Sequence, residues 1–296
     1  MLWWRKKWKQ TRPADGPRVN VDPSLGSDDN CGRYQGCTTK ALTTQRHKTI
    51  QRNKWLLGER VAADGVRENL TKIRARIAAA AHRAGRRIDE ITLIGVSKTH
   101  PSEAIRAAYA AGLRDFGENR VQEWEAKRAT LADLDAKWHL VGHLQSNKAA
   151  RAAGLFHCVD SVDDFSLAQR LDRARGETGG TSKLRVLLEV RVAEEETKSG
   201  VNVGEVAPLA EKIAGLPLLQ LSGLMCIPPF REEAEQARPY FRLLRELRDR
   251  LAGQFGWTLP VLSMGMSHDF EVAIEEGATE VRVGTALFGR RPAPQT

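Results

Sequence analysis

From about Val66 the chain settles into a regular rhythm of apolar and polar positions. Val66, Leu70, Ile73 and Ile77 recur three and four residues apart with Arg, Glu, Asn and Lys between them, which predicts an amphipathic helix. Beyond it, short runs rich in Val, Ile, Leu and aromatics alternate with longer stretches of helical spacing. The runs are ITLIGVSK from Ile91, RDFGEN from Arg114, WHLVGHLQ from Trp138, FHCVDSV from Phe156, LRVLLEVRV from Leu184, LSGLMCIP from Leu221, LPVLSMGMS from Leu259 and TEVRVGTALFG from Thr279. Helices follow most of them. SEAIRAAYAAGL, DDFSLAQRLDRA and EEAEQARPYFRLLRELRDRLAG are the clear cases, with Ser102 and Asp163 as N-caps of the first two. A βαβα order predicts a parallel sheet, and eight strands close a barrel. The fold class is therefore α/β, a single (β/α)8 TIM-type barrel, for which roughly 230 residues suffice. An open doubly wound sheet is the alternative, but no Gly-x-Gly-x-x-Gly follows the first strand.

Upstream the texture differs. Residues 1–60 open MLWWRKKWKQ and scatter Pro, Gly, Ser, Asp and Asn with neither period, so they read as loop or disorder. We therefore divide the chain into a leader, 1–60, and a barrel, 61–296. Of the formal net charge of +9, the leader carries 13 Lys or Arg against 5 acids, leaving 33 against 32 for the rest. The basicity belongs to the leader, where four of the seven Trp also lie. Nucleic-acid binding through it is one alternative function. No run reaches the 18 or so apolar residues of a membrane span, and the basic start is followed by no apolar signal region, so a cytoplasmic protein is expected. Four cysteines build no disulfide scaffold. Cys31 and Cys37 lack further zinc ligands, while Cys158 and Cys226 read as small buried hydrophobes.

In a barrel of this kind the chemistry gathers where strands end. Lys98 closes the first strand after Ile94, Gly95 and Val96, where low-dielectric walls would lower its pKa and favour the neutral amine that attacks an aldehyde. A solvated strand-end charge is the plain alternative. The seventh strand ends in Ser263, Met264, Gly265, Met266 and Ser267, and the eighth carries Arg282, Gly284 and Thr285. Exposed amides, hydroxyls and following helix N-termini there suit a phosphate, although the glycines could equally serve tight turns. Lysine and cradle are neighbours across a closed barrel, and together they suggest an aldehyde bearing a phosphate. Pyridoxal 5′-phosphate (PLP) fits. His139 and His143, four apart, lack the glutamate of a zinc protease and read as core packing and a loop contact, so no metal is expected; Asp160 reads as a rim hydrogen bonder or a helix cap.

These residues carry a resemblance. GVSKT (Gly95 to Thr99), FGENRVQE (Phe116 to Glu123), WHLVGHLQSNK (Trp138 to Lys148), EETKSG (Glu195 to Gly200), SGLMCIPP (Ser222 to Pro229), LSMGMSHDFEVAI (Leu262 to Ile274) and VRVGTALFG (Val281 to Gly289) closely resemble the pyridoxal phosphate homeostasis protein family. Its members are single-domain relatives of the alanine racemase N-terminal barrel, fold type III among PLP proteins. The resemblance spans roughly 66 to 291. It implies that Lys98 carries PLP as an internal aldimine and that Ser263, Gly265, Met266 and Ser267, with Gly284 and Thr285, form the phosphate turn. It also implies that Arg282 faces the pyridine nitrogen and that Asn119 lies beside the cofactor. His143, Gln145, Asn147 and Lys148 match the loop after the third strand. Arg191 and His268 depart from the family pattern, which often has Asn at the first and a small residue or Asp at the second.

An arginine cannot keep the pyridine nitrogen protonated, so the ring would be a weak electron sink. None of Tyr34, Tyr109 and Tyr240 is placed as a second base. The expected function is a carrier of PLP that maintains its intracellular supply, with no catalytic residues, possible delivery to apo-enzymes, and a monomer by default. A PLP-dependent racemase acting on small amino acids is the alternative.

Overall fold

Strands of this chain are short and alternate in side-chain character, and pairing them edge to edge leaves no open edge only if the sheet closes. The computed structural model describes residues 64–179, 182–194 and 199–289. The leader lies outside them, as does most of the EETKSG motif. A first helix, α1, covers 64–83 and buries Val66, Leu70, Ile73 and Ile77 as its spacing predicts. The strands are β1 (Thr92–Val96), β2 (Asp115–Glu118), β3 (Lys137–Leu140), β4 (Cys158–Val162), β5 (Leu184–Arg191), β6 (Val201–Asn202), β7 (Leu219–Met225), β8 (Val261–Ser263) and β9 (Glu280–Val283). All pairings are parallel, and they run β1 to β5, then β7, β8, β9 and back to β1. The eight expected strands are thus all present and closed into a barrel. The two-residue β6, which the sequence did not announce, pairs with β5 outside the ring.

Helices fill the crossovers: α2 (Ser102–Ala110), α3 (Val121–Arg128), α4 (Ala149–Leu155), α5 (Phe165–Glu177), α6 (Val206–Ala214), α7 (Arg238–Phe255), α8 (Phe270–Glu275) and α9 (Thr285–Phe288). The longest, α7, sets Phe241, Leu244, Leu247 and Leu251 on one buried face, starts with proline in its first turn and ends at Gly256 with φ 67°. Three boundaries depart from the sequence reading. The last run was expected as a strand through Gly289, but it stops at Val283 and TALF is helical, because Gly284 breaks the extended path. Pro101 takes the N-cap position of α2, and the Ser102 hydroxyl pairs instead with that of Thr130 at 2.8 Å. For α5 the cap is Asp164, which accepts from the Leu167 amide at 2.8 Å, leaving Asp163 free to turn toward the barrel mouth.

Side-chain parity decides what lies inside. On β5, Leu184, Val186, Leu188 and Val190 face the helices and join the main hydrophobic core. Arg185, Leu187, Glu189 and Arg191 alternate with them, and Leu187 packs with Met225 and Val261 in the barrel interior. Five other charged or polar residues enter that interior at the N-terminal ends of the strands. His139 lies 3.3 Å from Asp160 through Nδ1 and 3.3 Å from Asp115 through Nε2. Arg185 donates to Glu280 at 2.6 Å and to Cys158 Sγ at 2.7 Å. His139 is therefore buried in a charged lattice and not in apolar packing, Cys158 is more than a small hydrophobe, and Asp160 is neither at the rim nor a cap. Ligand atoms of His139, Cys158 and Asp160 fall within 4.8 Å of one another, but the Arg185 guanidinium already places its positive charge on the sulfur.

Burial pulls the His139 imidazole toward its neutral form, yet Asp160 and Asp115 outweigh that and hold its pKa well above the ordinary value. A raised folded pKa gives stability that is complete below the unfolded value of about 6.5 and is lost as pH climbs through the folded one. We expect urea denaturation of His139→Gln to show a flatter loss of stability from near-neutral to alkaline pH than the parent chain; identical alkaline slopes would refute this.

Candidate functional site

The inward parity of Ile94 and Val96 continues to Lys98, which follows β1 in a turn and is half-buried. What fixes that turn lies on the outer side of the barrel wall. Ser97 donates through its hydroxyl to the fully buried Glu118 at 2.7 Å, and Lys127 on α3 reaches Glu118 at 3.2 Å, the Ser97 carbonyl at 3.1 Å and Glu123 at 2.6 Å. Glu123 also accepts from the Thr99 amide. Residues 97 and 99 are thus held from one side while the lysine between them faces the other. Thr99 is the single non-glycine with positive φ among the described residues, at 64°. For a β-branched residue that is a strained conformation, which persists only where its surroundings impose it. Burial raises the pKa of Glu118, with the Lys127 ammonium and the Ser97 hydroxyl opposing the rise.

Across the seam of β1 and β9, Ile94 pairs with Arg282 and Gly95 with Val283. A Cβ on Gly284 would stand 3.3 Å from the Val96 carbonyl oxygen, so the loop after β9 runs against the strand that bears Lys98. Gly265, after β8, has φ +90°, and a Cβ there would meet Ala273 Cβ at 2.6 Å and Phe270 Cα at 2.9 Å. Only glycine fits. Ser267 ties the two loops together by accepting from the Ala286 amide at 3.3 Å. Among the described residues, the amides of Gly265, Gly284 and Thr285 find no backbone acceptor, which leaves donors for an anion. Two expected members do not join them. Met264 turns its side chain into the hydrophobic core and gives its amide to Glu280, while the Met266 amide is taken by Asp269 at 2.6 Å.

Arg282 is 4 % exposed and crosses the barrel floor of the site, donating to Ser263 Oγ at 2.8 Å and to the Cys226 carbonyl at 2.8 Å. Burial pushes the Cys226 thiol up to about 12, which makes it inert. Asn119 continues the inward parity of Gly117 on β2, and its backbone abuts Gly142, where a Cβ would lie 2.5 Å from the Asn119 oxygen. His143 stands 3.6 Å from Asp163, an exposed loop contact as expected. The His268 ring meets that of Phe230 in a tilted contact, 5.6 Å between centroids, and lies 2.9 Å from the Glu232 carbonyl, beside the cradle.

Sequence reasoning missed Glu189. It faces inward on β5, is 6 % exposed and leaves Oε2 without a partner. Burial and then Asp163 raise its pKa to about 7, against the pull of Arg282 and His143. The signal was present in LRVLLEVRV, where charged residues alternate with aliphatic ones.

Removing the Lys127 ammonium strands a buried carboxylate, so Lys127→Met is expected to cost roughly 3 kcal/mol. Adding Glu118→Gln to it is expected to recover most of that loss. Equilibrium urea unfolding of both single variants and the double checks the coupling, and additive losses would contradict it.

Comparison with known proteins agrees with this geometry. Residues 69–292 match the family described as alanine racemase, N-terminal domain. The chain is 48 % identical over 224 residues to the pyridoxal phosphate homeostasis protein of Aquifex aeolicus, covering 76 % of this chain and 97 % of that one. It is 41 % identical over 231 residues to the protein of the same name from Escherichia coli K12, with 76 % and 97 % covered. PipY of Synechococcus elongatus PCC7942, solved with PLP bound, is 41 % identical at a TM-score of 0.68, covering 76 % of this chain and 100 % of that one. An alanine racemase of Clostridium difficile 630 shares the fold at a TM-score of 0.61 and 15 % identity, over 79 % of this chain and 58 % of that one. With a closed parallel barrel, a lysine after β1 and a glycine cradle after β8 and β9, the chain belongs to the pyridoxal phosphate homeostasis protein family, within the alanine racemase N-terminal domain family.

Proposed function

We propose that this chain holds and releases PLP. Lys98 binds the aldehyde, the amides of Gly265, Gly284 and Thr285 with Ser267 bind the phosphate, and Arg282 stands at the pyridine nitrogen. The observation that carries the reading is the juxtaposition across β1 and β9, where the loop with uncommitted amides runs against the strand that ends in an inward lysine. A small aldehyde with a phosphate tail spans such a pair of anchors. The ring, when bound, supplies an electron sink, and its strength depends on the partner of its nitrogen. Arg282 cannot accept a proton from that nitrogen and is itself anchored by two hydrogen bonds, so the sink stays weak.

The same residues favour a carrier over a catalyst. Tyr109 packs against the core with Arg114 over its ring, and Tyr240 pairs with Arg231 at the surface, so neither reaches the site as a second base. Relatives at 41 to 49 % identity are named for homeostasis and not for a reaction. One observation supports the racemase alternative, namely Glu189, an inward carboxyl able to exchange a proton near neutral pH. We assign the carrier role to the folded barrel, with apo-enzymes that need PLP as its recipients and the cytoplasm as its place. No helix among the described residues is long and apolar enough to cross a membrane. The nucleic-acid alternative rests on residues 1–60 alone, outside the described ones.

Purified chain incubated with PLP is expected to turn yellow, and borohydride followed by peptide mapping is expected to fix the pyridoxyl group on Lys98. Lys98→Ala should retain at least about tenfold less PLP. A chain that stays colourless, or that is labelled equally without Lys98, refutes the binding reading. Alanine racemisation that is rapid, and is abolished by both Lys98→Ala and Glu189→Gln, would replace the carrier by an enzyme.

A further inference from the structure

A cavity of about 520 Å³ opens on the barrel rim between the loops after β2 and β3, beside Asn119 and outside the glycine cradle. Its volume lies within the range of small-ligand sites. Three of its walls carry positive or proton-accepting groups, Arg120, His143 and Lys148, and none of its lining residues is acidic. Arg76, Arg83, Arg106, Arg151 and Arg238 all pair with carboxylates, as does Lys127, whereas Arg120 and Lys148 have no ion-pair partner among the described residues. Two unpaired cations facing one concavity raise its potential in a way that paired ones do not.

The backbone adds donors. α3 begins at this cavity, with Val121 and Gln122 in the lining, and its N-cap, Arg120, provides no side-chain cap. The first-turn amides and the positive end of the helix dipole are therefore directed at the same space. Glu123, the acid of that turn, is committed to Thr99 and Lys127 on the other side of the helix. Asp163 stands behind His143 at 3.6 Å, on the side away from the cavity lining. Gln122 and Gln145 supply amide groups, and Leu140 gives an apolar wall.

We propose that this cavity is a second anion site, distinct from the cradle, which takes a small phosphate monoester. Two cations, a histidine and a helix N-terminus match a dianion with several acceptor oxygens better than a single carboxylate. The apolar wall leaves room for a short organic body. Asn119 forms one wall of the cavity and follows the inward-facing Gly117 of β2, so an occupant would sit beside whatever the barrel mouth holds.

The test uses the full chain loaded with PLP and reduced with borohydride, so that the cradle is filled. At about pH 8, where a phosphate monoester is dianionic, glycerol phosphate and inorganic phosphate are titrated by calorimetry, with acetate at matched ionic strength as control. One saturable site is expected for both phosphates, weakened at least about tenfold in Arg120→Gln/Lys148→Gln and in high salt. Glycerol phosphate binding more tightly identifies a monoester site, and equal affinities identify a site for the phosphate group alone. Absence of saturable binding, acetate binding as tightly, or unchanged affinity in the double variant overturns the proposal. If PLP does not load, the same titration on the chain as purified still separates the two, because the double variant spares the cradle.

Discussion

Closing eight parallel strands into a ring forces every second side chain into an interior too narrow for bulk water, and that constraint governs the rest of the molecule. The outward parity is satisfied by aliphatic packing under the helices. The inward parity is filled here with charge as well as with Leu187, Met225 and Val261, and each charged group needs a partner. At the N-terminal end they find one another, as in the Arg185–Glu280 and His139–Asp160 pairs. Toward the C-terminal end the pairing thins. Glu189 leaves Oε2 without a hydrogen-bond partner among the described residues, and the amides of Gly265, Gly284 and Thr285 donate to no backbone carbonyl there. A ligand has something to complete at that end and little to add at the other.

The same wall explains how a flexible side chain becomes an anchor. Lysine loses considerable rotamer freedom when it is held. Here the cost is spread over its neighbours, since Ser97 and Thr99 are gripped from outside the barrel by Glu118, Lys127 and Glu123. Strain at Thr99 and the buried charge of Glu118 are the penalties of that grip. Thr99 adjoins the lysine and Glu118 lies on the neighbouring strand β2, so the grip acts on the backbone on either side of Lys98.

Much of this was legible in the sequence because it depends on period and punctuation. Eight runs of β texture gave eight strands, and Gly265 and Gly284 stood at their ends as turn residues must. Side-chain parity was equally legible in LRVLLEVRV, yet Glu189 escaped because an apolar run with three charges reads first as an edge and only afterwards as a two-faced wall. The cap of α5 slipped by one residue because Asp163 and Asp164 are chemically equal, and only the competing contact of Asp163 with the Gly200 amide and His143 decides between them. Met264 was included by adjacency and Met266 by the family motif. Amide direction depends on φ and ψ and on who accepts, which no residue type announces. The floor lattice was invisible for the opposite reason, since His139, Asp160, Arg185 and Glu280 lie far apart in sequence and meet only when the ring closes.

What the mouth of the barrel exposes bears on carrier against catalyst as directly as the residues inside it. Enzymes that draw a carbanion from a substrate gain by closing over it, because water weakens every electrostatic contact and protonates the wrong position. A carrier gains from the reverse arrangement. The covalent link between an amine and an aldehyde is reversed by water, so delivery requires that water reach the lysine and that the freed aldehyde leave. At this mouth Arg120, Gln122, His143 and Gln145 are exposed, with the His143 side chain 54 % accessible, and the half-buried Lys98 lies in a turn. The described residues therefore combine a tightly paired floor with a mouth lined by exposed polar and cationic side chains, an arrangement that the proposed carrier role calls for and a closed catalytic site does not.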